Sequence, residues 1–170
     1  MTIESGLIKR TLIFALFWIS FTGYFIIPLL IDSIDCPNWI LKIDSYIPFI
    51  WWMIIPYYSY YILILIPPIM IKEEKEIIVL TKILIQASIF CYMIYLIYPI
   101  TSSNALVLVR PNPLSFMHNS ITFDYLHQNA LPSMHVSVAV IIGLAISLYN
   151  KKYTRLMLFM ILLIFLATFL

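Results

Sequence analysis

Apolar positions in this chain come in long unbroken runs, not in stripes or alternations. The first runs from about Thr11 to Ile31 and holds no charge. The second, about Tyr46 to Ile71, carries Pro48, Pro56, Pro67 and Pro68. The third, about Ile77 to Tyr98, has Lys82 near its start and Pro99 at its end. The fourth runs from about Ser133 to Tyr149, and the fifth from about Tyr153 to Leu170. A helix needs about 20 apolar residues to cross the hydrocarbon core of a bilayer, so each run predicts a span. The alternation that a membrane barrel requires is absent. The expected architecture is therefore all-α: a polytopic transmembrane helix bundle of five spans, forming one domain over residues 1–170.

Composition sharpens this picture by exclusion. Of 170 residues, 63% are apolar and 11% charged, with a mean hydropathy of +1.00. Ordinary soluble domains are about 45–50% apolar and about 25% charged. A water-soluble globule of this size has no way to hide so much apolar surface, and the same excess rules out intrinsic disorder. The net charge of +2, with basic residues scattered along the chain, gives no reason to expect a nucleic-acid partner. Two cysteines make neither a disulfide framework nor a zinc signature. Lys9 and Arg10 resemble the basic start of a signal peptide. The apolar run after them is too long for one, however, and no small-residue cleavage site follows, so a retained helix is expected.

Charge also sets the expected orientation, because basic residues accumulate on the cytoplasmic side. If five spans alternate, eight of the ten basic residues share one face: Lys9, Arg10, Lys72, Lys75, Lys82, Lys151, Lys152 and Arg155. Only Lys42 and Arg110 fall on the other. The amino terminus is then cytoplasmic, and the 99–131 loop is extracytoplasmic. Within the second run, Tyr57, Tyr58, Tyr60 and Tyr61 crowd together, and each hydroxyl wants a partner. A helix kinked at Pro56, with its hydroxyls bonded inside the bundle, accommodates them. A polar strip along a lipid headgroup path is the other reading.

The chemistry concentrates between the third and fourth runs. A loop this long in a compact domain is usually functional or disordered. Residues 98–135 hold all three histidines, His118, His127 and His135, together with Arg110 and one acid, Asp124. In Pro132-Ser133-Met134-His135, proline and serine are helix-start residues. A helix beginning here places His135 in its first turn. Such a start offers unpaired backbone N–H groups and a positive dipole end, which suit phosphate. Ser133 adds a hydroxyl, His135 a group that can give up a proton near neutral pH, and Arg110 a bidentate clamp. The plainer readings are a capping serine, an interfacial histidine and a snorkelling arginine. His118 and His127 read as loop residues. Carboxylates are too scarce nearby to complete a metal site.

These residues resemble the type 2 phosphatidic acid phosphatase superfamily, and among its members the inositol phosphorylceramide synthase-like branch. The segment Asn129-Ala130-Leu131-Pro132-Ser133-Met134-His135-Val136 is similar to the family's Pro-Ser-x-His signature. Tyr98-Pro99 followed by Arg110-Pro111 looks like its Lys-to-Arg-Pro signature, with Ser103 standing where the family has lysine. The order of spans agrees, since both signatures share the outer loop before the fourth span. The third signature, Ser-Arg followed by His and Asp, has no counterpart in these 170 residues, and neither does the family's sixth span.

The resemblance implies a lipid-phosphate phosphatase or phosphotransferase acting at the outer membrane face on a membrane lipid phosphoester. It makes His135 the general acid and makes Arg110 and Ser133 phosphate ligands, with Asp124 and Asn129 as further candidates. It calls for no metal and no cofactor. The family's nucleophilic histidine is the one in the missing signature. The expectation is thus a truncated or split member, incomplete at its carboxyl end and inactive alone: a frameshifted gene, an incomplete piece, or a chain whose missing signature a second polypeptide supplies. A non-catalytic relative that binds lipid phosphate, or serves as an assembly partner, is the alternative. A transporter is disfavoured because the spans offer little polar or charged character beyond Lys82 near an end and some Ser, Thr and Tyr, and because internal repeats are absent.

Overall fold

The computed structural model describes residues 3–100, 111–121 and 131–168. Their regular secondary structure is helical, save one isolated parallel bridge between Ile34 and Ile100. The helices are α1 (Ile3–Phe21), α2 (Gly23–Ile26), α3 (Asn38–Asp44), α4 (Ile54–Leu63), α5 (Pro67–Met70), α6 (Glu74–Ile97), α7 (Ser115–Ile121), α8 (Met134–Tyr149) and α9 (Thr154–Ala167).

The stretch Ser5–Leu29 and helix α6 are long and apolar enough to cross a membrane; α8 is a shorter apolar helix. The second run is not one helix. Pro56 is the third residue of α4, in the first turn, where a missing N–H costs no helical bond. It therefore opens α4 and does not kink it, which corrects the sequence expectation. The break comes further on. Pro67 sits at the first position of α5, and Pro67 and Pro68 have no N–H to donate to the carbonyls of Leu63 and Ile64, so α4 ends in a turn at 64–66. The indole of Trp18 donates to the carbonyl of Ile64 at 3.2 Å, satisfying one group that the break frees.

Helix α8 is the hub of the packing. Its Met134, Val138, Ala139, Ile142 and Ile146 are buried against Tyr60 and Leu63 of α4, Leu80 and Leu84 of α6, and Met157 and Ile164 of α9. Phe14 and Phe17 bring α1 into the same core. Gly143 lets α9 come close: a Cβ there would lie 2.6 Å from Cδ1 of Ile161. Gly23 does the same for Tyr92, whose hydroxyl donates to the Ser20 carbonyl at 2.8 Å and ties α6 to the end of α1. The faces turned away from this core are apolar as well, with Leu12, Leu16, Ile19, Ile62, Phe159 and Leu162 all more than half exposed. Soluble monomers rarely carry so much contiguous apolar surface.

The two ends of the bundle differ in charge. At one end Lys9 pairs with Glu74 at 2.9 Å, and Arg10 donates to the carbonyls of Pro68 and Lys72. The Tyr149 hydroxyl accepts from the Lys72 backbone there, which brings the close of α8 to the same end. The ion pair is exposed and contributes little; its use here is to locate the basic residues. The opposite end gathers the close of α6, the starts of α4 and α8, and the bridge from Ile34 to Ile100, closed by Ile34 N–H donating to Pro99 at 2.9 Å.

Candidate functional site

Helix α8 begins where Pro-Ser places it. Ser133 is the N-cap, with extended backbone, and its hydroxyl oxygen accepts from Val136 N–H at 3.4 Å. Tyr95 of α6 fixes the entry to the helix by donating its hydroxyl to the Pro132 carbonyl. His135 lies in the first turn and is half-buried. Serine at such a position satisfies one of the otherwise unpartnered first-turn N–H groups. Its own proton is still available to an acceptor outside the helix.

The surroundings of His135 are aromatic. Its ring centroid is 4.5 Å from that of Tyr60, 4.9 Å from Tyr57, 6.2 Å from Tyr24 and 6.3 Å from Tyr61. The Tyr57 hydroxyl is 3.0 Å from Nε2 of the imidazole, a hydrogen bond between residues 78 apart in sequence. Tyr57, Tyr60 and Tyr61 stand at i, i+3 and i+4 on α4, so one face of that helix presents all three. Tyr60 is fully buried, and its hydroxyl has no partner among the described residues. Tyr58 points elsewhere: its hydroxyl donates to the Met117 carbonyl and pairs with the Ser120 hydroxyl at 2.6 Å, so it holds α7. The four tyrosines therefore do not line one strip. Three enclose His135, and one anchors the loop.

His118 helps that anchor. It is buried in α7, with Nε2 3.0 Å from the Trp51 carbonyl and its ring 5.5 Å from Phe49. The start of α7 is set by Asn112, whose side-chain oxygen accepts from Leu114 N–H at 2.8 Å. This segment is thus fastened to the same helix that carries Tyr57. Arg110, Asp124, His127 and Asn129, together with Ser103, lie outside the described residues. Among the described residues no three histidine, cysteine or acidic side chains converge in a way that could hold a metal ion.

The sequence places Ser133 and His135 at one helix start, and the structure has them together there. Nothing in the sequence connects the tyrosines with His135, although the i, i+3, i+4 spacing of Tyr57, Tyr60 and Tyr61 points to a shared face. Chemically, the start of α8 offers a capping hydroxyl, first-turn N–H groups and an imidazole in a water-poor aromatic setting. Comparison with protein-family models, curated proteins and solved structures finds no match for this chain.

Proposed function

We propose that the chain is a multi-pass membrane protein of five spans that holds the phosphate of a membrane lipid at the start of α8, in the manner of the type 2 phosphatidic acid phosphatase superfamily. The observation that carries this reading is the pairing of the Ser133 cap with His135 at the end of the bundle away from Lys9, Arg10 and Lys72. By the positive-inside rule, the basic end is cytoplasmic and the α8 start faces outward. Helices α4 and α5 together make the second span, broken at the turn between them.

In the proposed reaction Ser133 and the first-turn N–H groups bind phosphate oxygens, and Arg110 clamps them and offsets their charge. A histidine from outside these 170 residues attacks phosphorus. The P–N bond forms as the ester P–O bond breaks, and His135 passes its proton to the departing oxygen. Water or a second alcohol then takes the phosphoryl group. Without that histidine these residues bind lipid phosphate and do not turn it over. Release of inorganic phosphate from phosphatidic acid by the purified chain is expected at background level. Robust release that His135→Ala abolishes would contradict the need for a histidine from outside these residues.

The orientation has its own test. With Cys36 and Cys91 replaced by serine, Phe116→Cys places a thiol at an exposed position of α7. A membrane-impermeant maleimide added to intact cells is expected to label it. Labelling only after the membrane is opened would reverse the topology.

One observation favours a second reading. The Ser133 oxygen already caps α8, and Nε2 of His135 already has Tyr57. Both groups have uses within the bundle, as in a relative that binds a headgroup, or assembles with a partner, without catalysing anything.

A further inference from the structure

We propose that Tyr57 is the positioning residue of this site. Its hydroxyl engages Nε2 of His135, keeps the resting proton on Nδ1, and so makes Nδ1–H the group that meets a phosphate oxygen. The inference rests on the lipid-phosphate reading above for the identity of the ligand, but the hydrogen bond itself does not.

The geometry is specific. Tyr57 and His135 come from α4 and α8, and their rings are tilted by 35° with the hydroxyl 3.0 Å from Nε2. A neutral imidazole has one N–H and one bare nitrogen, and its partners decide which is which. Phenol is a stronger hydrogen-bond donor than an imidazole N–H, and an imidazole nitrogen is a stronger acceptor than a phenol oxygen. The favoured arrangement is therefore Tyr57 O–H donating to bare Nε2, with the proton on Nδ1. Among the described residues Nδ1 has no hydrogen-bond partner, so it is the nitrogen left for a ligand. A bare Nδ1 would repel an anion, whereas Nδ1–H attracts one. If the ring takes up a second proton, the same hydroxyl rotates to accept from Nε2–H. Nδ1–H then still faces the ligand and is the proton handed to a leaving oxygen. Tyr60, Tyr24 and Tyr61 pack around the ring and restrict its rotation, so that a single hydroxyl can set its orientation.

The test is nitrogen NMR of the full chain, labelled with 15N-histidine and held in lipid nanodiscs. His135→Ala identifies the His135 signals. In the native chain at neutral pH, Nδ1 is expected at the N–H position and Nε2 at the bare-nitrogen position. Tyr57→Phe is expected to move Nε2 towards the N–H position, while Tyr58→Phe, which strips the neighbouring hydroxyl from the same helix, leaves both signals in place. A native spectrum with the proton on Nε2, or no change in Tyr57→Phe, overturns the proposal. If Tyr57→Phe does not fold, 3-fluorotyrosine incorporation replaces it. The more acidic phenol should shift Nε2 more than Nδ1 in an intact fold, and equal or absent shifts overturn the proposal. Adding phosphatidic acid separates the two claims. A held tautomer with no response to the lipid counts against the function and leaves Tyr57 in its role. A lipid response with an unheld tautomer counts against Tyr57 alone.

Discussion

Gly143→Ala is expected to destabilise the bundle by about 1–2 kcal/mol, although alanine is the better helix former. In a helix interior the change should gain up to about 1 kcal/mol from backbone propensity alone. Against it stands the contact with α9. The new methyl would lie 2.6 Å from Cδ1 and 2.9 Å from Cγ1 of Ile161. Both atoms belong to a β-branched side chain with few rotamers to escape into, so the helices must part or the side chain must leave its preferred well. Overpacking of this kind costs about 1–3 kcal/mol, and the steric cost wins. In membranes, where helices associate through close packing and not through the hydrophobic effect, a small residue at the contact matters more. Gly143→Leu should lose more than Gly143→Ala. Unfolding free energy from SDS titration in mixed micelles reads the effect. Ile161→Ala removes both clashing atoms, so the double variant should be less destabilised than the sum of the singles, with a coupling of about 0.5–3 kcal/mol. Strict additivity would show that α8 and α9 do not meet at Gly143.

The parts of this fold legible in the sequence were those set by local chemistry. Pro132 and Ser133 announce the start of α8, and the apolar length of α6 announces a helix long enough to cross a membrane. Pro67 and Pro68 were visible inside the second run, yet a run of apolar residues does not say whether a proline interrupts a helix or opens one. That depends on where the helix begins. Because α4 starts at Ile54, Pro56 falls in its first turn and is harmless there. The short helices α3 and α7 span seven residues each, too few to show a periodic pattern. The tyrosine shell of His135 was hidden for another reason. Its members come from α2 and α4, and only the packing of those helices around the start of α8 brings them to one imidazole. The spacing on α4 revealed a face but not what the face meets. His118 illustrates the converse: a histidine in a loop reads as incidental, and burial against Trp51 and Phe49 makes it an anchor.

The central claim is that the first turn of α8, with Arg110, holds a lipid phosphate. A hydrogen bond to a charged group contributes about 1.5–3 kcal/mol. At 1.4 kcal/mol per tenfold, removing the Arg110 clamp should weaken binding by about 10- to 150-fold. Ser133→Ala should cost less binding, because it leaves the first-turn N–H groups in place, although it also removes a cap worth about 1 kcal/mol of helix stability. Lys152→Ala takes the same charge from the basic end and serves as the control. The measurement is the affinity of the chain, in phosphatidylcholine nanodiscs, for phosphatidic acid. The account predicts preferential binding that falls at least tenfold in both Arg110→Ala and His135→Ala and stays unchanged in Lys152→Ala. Equal binding by all four proteins, or a loss confined to Lys152→Ala, would contradict it.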